Sequence, residues 1–311
     1  MALTLPTPAA PLKIGTRGSP LALVQAHETR ARLVAAFGLP PEAFEIVVIK
    51  VTGDQIQDRA LKDIGGKGLF TREIEEALSD GSIDIAVHSM KDMPTLQPDG
   101  LMLDCYLPRE DVRDAFVSRT ATGLDAMPPG AVVGSSSLRR RSQVALRRPD
   151  LTLVEFRGNV QTRMRKLEEG VAAATFLAMA GLNRLGMGHV ATAAMEPEDM
   201  LPAVAQGAIG IERRVADGRA AEMLAAIHHH DTGLRLAAER AFLRELDGSC
   251  QTPIAGLAVL DGGLWLRGEI LRPDGSRAIV GERRGASGDG AAMGIDLARE
   301  LLAKAGPGFF S

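Results

Sequence analysis

Ala131-Val-Val-Gly-Ser-Ser-Ser-Leu-Arg-Arg-Arg141 decides how the rest of the chain is read. A short apolar run ends at Gly134, three serines follow, and a helical stretch opens with arginines on its first turn. Strand, polar turn and helix in that order form the repeating unit of an α/β protein with largely parallel sheets. Next, Leu151 to Phe156 reads as a strand, Arg157-Gly-Asn159 as a turn, and a helix carries Arg163 on its first turns. Upstream, Ala115 to Ser118 is a further strand. Downstream, Ala172 to Leu177 is another, followed again by a helical stretch.

An earlier set has the same order. Leu12 to Thr16 reads as a strand, Ser19 as a helix N-cap, and Pro20 as the first helical residue, with Leu21, Val24 and Leu33 on the apolar face. Phe44 to Val51 and Ile83 to His88 are strands, and Thr71 to Leu78 is a helix with acids near its start. Two such sets predict two doubly wound lobes. The strand Gln206 to Glu212 is expected to return to the first of them. From Leu234 the grammar changes to one helix, three strands at 254–260, 264–271 and 278–283 joined by Gly-bearing turns, and a closing helix from about Gly290 to Lys304. That pattern predicts a small α+β unit with a three-stranded antiparallel sheet. The expected domains are 1–108 with 206–228, then 109–205, then 229–311.

The chain has 311 residues, 45% hydrophobic and 24% charged, enough for several packed cores. Its apolar runs are too short to span a membrane. Residues 1–11 lack the charge pattern of a signal peptide, and Pro6, Pro8 and Pro11 suggest a disordered leader. Two distant cysteines make no disulfide framework, which suits a reducing cytoplasm. Net charge is −3, yet Ser135 to Arg184 holds nine Arg and one Lys against four acids, a local +6. A solvated basic face is the plainer explanation. Against it, the preference for Arg over Lys suits two-point recognition of carboxylate or phosphate.

Four constellations carry chemistry. Gly134 to Arg141 places hydroxyls and free N–H groups at a helix start, an anion site, although a plain cap needs only one of the serines. Arg157 and Arg163 repeat the arrangement at the next strand end, and Arg17 stands beside Ser19 at the end of the first strand. Val87-His-Ser-Met-Lys-Asp92 ends a buried strand in ionisable groups; His88 reads as structural, and Lys91 with Asp92 as a surface pair on spacing alone. Asp63 to Phe70, with glycines at 65, 66 and 68, reads as a lid on Gly hinges, since the P-loop spacing is absent. Cys250 lies in a polar turn rather than a core, either an inert thiol or an attachment point. His228-His-His230 lacks partners at metal-ligand spacing, so no metal is expected.

These segments resemble a known family. Thr16-Arg-Gly-Ser-Pro-Leu-Ala-Leu, Gly65-Gly-Lys-Gly-Leu-Phe, Val87-His-Ser-Met-Lys-Asp-Met-Pro, Gly134-Ser-Ser-Ser-Leu-Arg-Arg, Arg157-Gly-Asn-Val, Leu201-Pro-Ala-Val-Ala-Gln-Gly-Ala and Gly248-Ser-Cys-Gln-Thr-Pro-Ile resemble, in order, the hydroxymethylbilane synthase (porphobilinogen deaminase) family. The resemblance implies lobes like those of two-lobed solute-binding proteins. It also implies a transferase of tetrapyrrole and heme biosynthesis. Such an enzyme joins four porphobilinogens head to tail on a covalent dipyrromethane primer, releases ammonia each time, and frees the linear tetrapyrrole with water. By motif, Cys250 would anchor the primer and Asp92 would be the catalytic carboxylate. Lys91, Ser137, Arg139, Arg140 and Arg163 would hold the cofactor. Arg17, Ser19, Arg157 and Arg184 would bind substrate, and Lys67 and Phe70 would belong to the lid.

The chemistry of the substrate agrees: every pyrrole ring carries two carboxylates, so the growing chain is a polyanion. Porphobilinogen is therefore the expected partner, with no nucleic acid, no membrane, and a monomeric chain in the cytoplasm. The pattern departs from the family at Ser135 for threonine, Ala205 for glycine, and Ala173 for an acidic residue. A solute receptor would explain lobes and arginines but has no use for Cys250. A nucleic-acid binder would prefer aromatic platforms, and the chain holds one Trp and one Tyr.

Overall fold

The structure, a computed structural model, describes residues 3–52, 71–248 and 252–310. The described residues fall into two compact units, one of 3–52, 71–109 and 208–233, the other of 110–207 with 234–310. In the first unit, β1 (Leu12–Arg17) is followed by α1 (Pro20–Phe37), β2 (Phe44–Ile49), α2 (Arg72–Ser79), β3 (Ile85–Ser89) and β4 (Leu101–Tyr106). The sheet order is β2-β1-β3-β10-β4, where β10 is Ile209–Arg214. β1 runs parallel to β2 and β3, whereas β10 runs antiparallel to β3 and β4.

The second unit repeats this plan. β5 (Asp114–Ser118), β6 (Val132–Gly134), α3 (Leu138–Arg147), β7 (Thr152–Val154), α4 (Val160–Glu168), β8 (Ala174–Ala178), α5 (Met179–Arg184) and β9 (Ala193–Met195) give the order β7-β6-β8-β5-β9. β6 is parallel to β7 and β8, and β5 is antiparallel to β8. The largely parallel sheets expected from the sequence are thus mixed. β5 and β10 enter their sheets without a crossover helix before them, so nothing obliges them to run parallel. Both lobes bury both sheet faces, which is why their strands read as unbroken apolar runs. In β5, Ala115 and Val117 join one core and Phe116 the other.

The chain then passes through α6 (Gly218–Ala225) and α7 (His230–Glu245) to β11 (Ile254–Leu260), β12 (Leu264–Leu271), β13 (Ala278–Gly285) and α8 (Gly290–Ala305). The three strands form the expected antiparallel meander. Gly256 and Gly268 pair in register, and the missing side chains leave the floor on which the Phe242 ring of α7 lies. At Gly294 a Cβ would collide with the Ala238 carbonyl, so the glycine lets α8 approach α7 closely.

Two further expectations fail for identifiable reasons. The leader is not loose. Leu3 packs against the first core, and Thr7 and Ala10 exchange backbone hydrogen bonds of 3.2 and 3.0 Å. The returning strand begins at Ile209 rather than Gln206, because Ala205 (φ 61°) and Gly207 (φ 87°) adopt left-handed backbone unsuited to a pleated strand. Among the described residues no helix is long and apolar enough to cross a membrane.

Candidate functional site

Neighbouring parallel strands end at one edge of each sheet, and that edge is where open α/β sheets bind ligands. In the first unit β1 ends at Arg17 and its neighbour β3 at Ser89, so the residues leaving both strands share an edge. Ser19 caps α1, its Oγ accepting from the Ala22 N–H at 3.3 Å. Gln25 of that helix donates to Ser89 Oγ at 2.8 Å and ties α1 to the end of β3. One turn of 3-10 helix (Met90–Asp92) then carries Lys91, half-buried, and Asp92, exposed. His88 points elsewhere, its Nε2 3.2 Å from Glu212 Oε2 across the β3–β10 pair, in keeping with a structural residue.

In the second unit β6, β7 and β8 end together. All three serines after β6 accept backbone hydrogen bonds: Ser135 Oγ from Ser137 N, Ser136 Oγ from Phe156 N, and Ser137 Oγ from Arg140 N. The sequence reading had set aside one serine for capping. The fold uses three, and each accepting hydroxyl still has its own O–H to donate. Phe156 is fully buried and its ring fills the space a Cβ at Gly134 would need, which sets the spacing of the two strand ends. Arg157, half-buried, follows. Asn159 caps α4 by accepting from the Thr162 N–H at 2.9 Å, and Arg163 Nε donates to Gly158 O at 2.9 Å. Arg184, at the end of α5, donates from Nη2 to Gly207 O at 3.1 Å.

Arg139 and Arg140 turn inward and are 3% and 5% exposed. Asp114, fully buried at the start of β5, receives both. Its Oδ2 lies 2.8 Å from Arg139 Nη1, and its Oδ1 takes Arg140 Nε at 3.1 Å and Nη2 at 2.6 Å. Burial opposes the Asp114 charge, but the two guanidinium groups outweigh it and hold the carboxyl well below the usual range. Burial also pulls Arg139 down from its ordinary value while Asp114 pulls it up. Arg139 Nη1 further reaches Gln143 Oε1 and Leu201 O, and Arg140 Nη1 reaches Phe176 O. Asp114 was missed in the sequence. The available signal was an acid opening a strand buried on both faces, which demands a cation nearby.

The basic segment thus divides. Arg141 pairs with Glu155, Arg147 with Asp125 and Asp199, and Arg165 with Glu169 at the surface, as the solvated-face reading expects, whereas Arg148 pairs with Asp150 and also donates to Leu124 O and Met127 O, a structural tie. Arg157 and Arg163 follow the end of β7, and Arg184 closes α5. Of the two cysteines, Cys105 is buried in β4, donates to Leu224 O, and has its thiol pushed up to about 12 by burial and then by Asp104. Cys250, Lys67 and Phe70 lie outside the described residues. Among the described residues no three of His, Cys, Asp and Glu gather as metal ligands. His228 and His229 instead bond Tyr106 N and Thr232 at the start of α7.

Residues 12–222 match the family model described as porphobilinogen deaminase, dipyromethane cofactor binding domain, and residues 234–303 match that of its C-terminal domain. The chain is 70% identical to the porphobilinogen deaminase of Paracoccus denitrificans, over 98% of each chain. It is 56% identical to the chloroplastic porphobilinogen deaminase of Pisum sativum, over 96% of this chain and 83% of that one. Among solved structures, a periplasmic substrate-binding protein of an ABC transporter from Coxiella burnetii aligns at 15% identity and a TM-score of 0.43, covering 74% of this chain and 96% of that one. Two domain matches in sequence order and such identity over nearly the full length place this chain in the porphobilinogen deaminase family.

Proposed function

We propose that this chain condenses porphobilinogen head to tail on a dipyrromethane held by Cys250, with Asp92 as the catalytic carboxylate. The observation that carries the anchor assignment is the state of the other cysteine. A thiol buried in β4 and pushed up to about 12 is neither accessible nor ionised, which leaves Cys250 as the available nucleophile of the two. The residues also suit a carboxylate-rich group. Arg139 and Arg140 bring two guanidinium groups together at the start of α3, sharing the Asp114 carboxylate with Glu269 in electrostatic reach of Arg139.

In this reading Ser137, Arg139, Arg140, Arg163 and Lys91 hold the cofactor carboxylates, and Arg17, Ser19, Arg157 and Arg184 orient the incoming substrate. The dipyrromethane, once bound, supplies a nucleophilic pyrrole carbon. Asp92 accepts pyrrole N–H groups and offsets the positive charge that grows on the substrate as ammonia departs. Lys67 and Phe70 belong to a lid that excludes water. The domain bounds 1–108 with 206–228, 109–205 and 229–311, a monomeric state and a cytoplasmic location complete the proposal. Intact-protein mass spectrometry tests it: the purified chain should exceed its sequence mass by two linked pyrrole units, and Cys250→Ser should lack them. A fully active wild-type chain of unmodified mass would overturn the assignment.

A further inference from the structure

Asp114 belongs to none of the motifs that give the site its chemistry, yet it ties Arg139, Arg140 and Gln206 together. It is fully buried, pairs with Arg139, and accepts from Arg140 and from Gln206, whose Nε2 lies 2.9 Å from Oδ1. Gln206 also donates to Val112 O, which fixes its amide against the start of β5. Around these contacts the 201–207 segment makes a frame. Leu201 O accepts from Arg139 and Gln143, Ala205 N donates to the buried Glu239 of α7, and Gly207 O accepts from Arg184.

We infer that Asp114, with Gln206, is a positioning residue for the Arg139–Arg140 pair. Two guanidinium groups side by side repel each other, and without a counter-ion burial would not tolerate both charges. The Asp114 carboxylate between them keeps both cationic and fixes their planes, and Glu269, held to Gln143, is a second acid in electrostatic reach of Arg139. Stability alone is a weak reason for this arrangement, since apolar replacements of buried ion clusters are often neutral or better. This deepens the reading that the pair binds the dipyrromethane carboxylates, and rests on it.

The test uses the full chain purified as Asp114→Asn and Gln206→Leu, with intact mass, thermal melting, kcat and KM measured on each. Asp114→Asn should melt cooperatively yet carry the two-pyrrole adduct on a fraction of molecules reduced by about fivefold or more, because the arginines lose their common reference. Gln206→Leu should load the adduct but raise KM by roughly three- to tenfold with less change in kcat, as expected for loosened ligand orientation. If Asp114→Asn loads fully and its kcat/KM stays within about twofold of wild type, the inference fails. Should Asp114→Asn not fold, Gln206→Leu decides alone, and an unchanged KM there overturns the inference. Arg139→Leu and Arg140→Leu separate the two levels. If they too load and turn over normally, the underlying assignment of the pair is wrong. If they lose the adduct while Asp114→Asn and Gln206→Leu keep it, only the positioning role is wrong.

Discussion

Asp92, the proposed catalytic carboxylate, sits exposed on one turn of 3-10 helix at the end of a buried strand. Asp92→Asn keeps size and loses charge. On chains whose adduct has been verified by mass, turnover should fall by about a hundredfold to a thousandfold, the roughly 2–4 kcal/mol of one preorganised electrostatic group. Turnover within a few-fold of wild type would make Asp92 a surface residue. Ala205 is the second informative residue. Its φ of 61° is left-handed, a conformation that costs a residue with a Cβ about 1–2 kcal/mol, and its N–H is committed to Glu239 at 2.7 Å. Ala205→Gly should therefore raise stability by roughly 0.5–1 kcal/mol, measured by chemical denaturation, the left-handed strain relieved being partly offset by glycine's greater unfolded-state freedom. A loss of stability would show that neighbouring packing, not backbone strain, governs the site.

At the scale of the element, the helix starts do two jobs. Asn159 caps α4, and the same turn positions Gly158 O to receive Arg163 Nε. Asn159→Ala should cost about 1 kcal/mol of stability, the usual worth of an N-cap. Arg163 sits on the first turn that the cap organises, so kcat/KM should fall as well, whereas a cap serving stability alone would leave it untouched. Whereas the capping role of Asn159 came only with the structure, the cap at Ser19, the turn at Gly158-Asn159, the strand–turn–helix order and the arginines leaving strand ends were all legible in the sequence. Each is written within about a dozen residues, the reach of helix and strand periodicity. The short strand β9 and the helix α6 were not read, since three residues of Ala193-Ala-Met195 carry too little pattern.

Across the second unit, Glu269 of β12 joins the three-stranded sheet to α3 through Gln143, whose Nε2 lies 2.6 Å from Glu269 Oε2. Burial raises the Glu269 carboxyl above its ordinary value, and Gln143 and Arg139 offset this only in part. A carboxyl raised on folding binds its proton more tightly in the folded chain than in the unfolded one. Stability from this group is therefore present below the unfolded value of about 4.3 and lost as pH rises through the folded one. Glu269→Gln removes that loss. Its stability relative to wild type should improve as pH is raised from about 4 towards 8, and denaturation curves across that range check it. A constant difference would mean that Arg139 holds Glu269 ionised throughout.

By itself the sequence determined the α/β order of both lobes, the antiparallel meander, the family and the motifs, because these are local patterns or long matching strings. Tertiary structure alone decided which charges are surface and which are structural. Asp114 lies 26 residues from Arg140 and 92 from Gln206, so no spacing rule could join them. It decided too that Cys105 is inert, since burial belongs to the packed sheet rather than to the strand. The left-handed turn at Ala205 was likewise decided there, because a buried carboxylate from another helix holds it in place. Counter-ions and burial are long-range properties, and a chain acquires them only once its elements have packed.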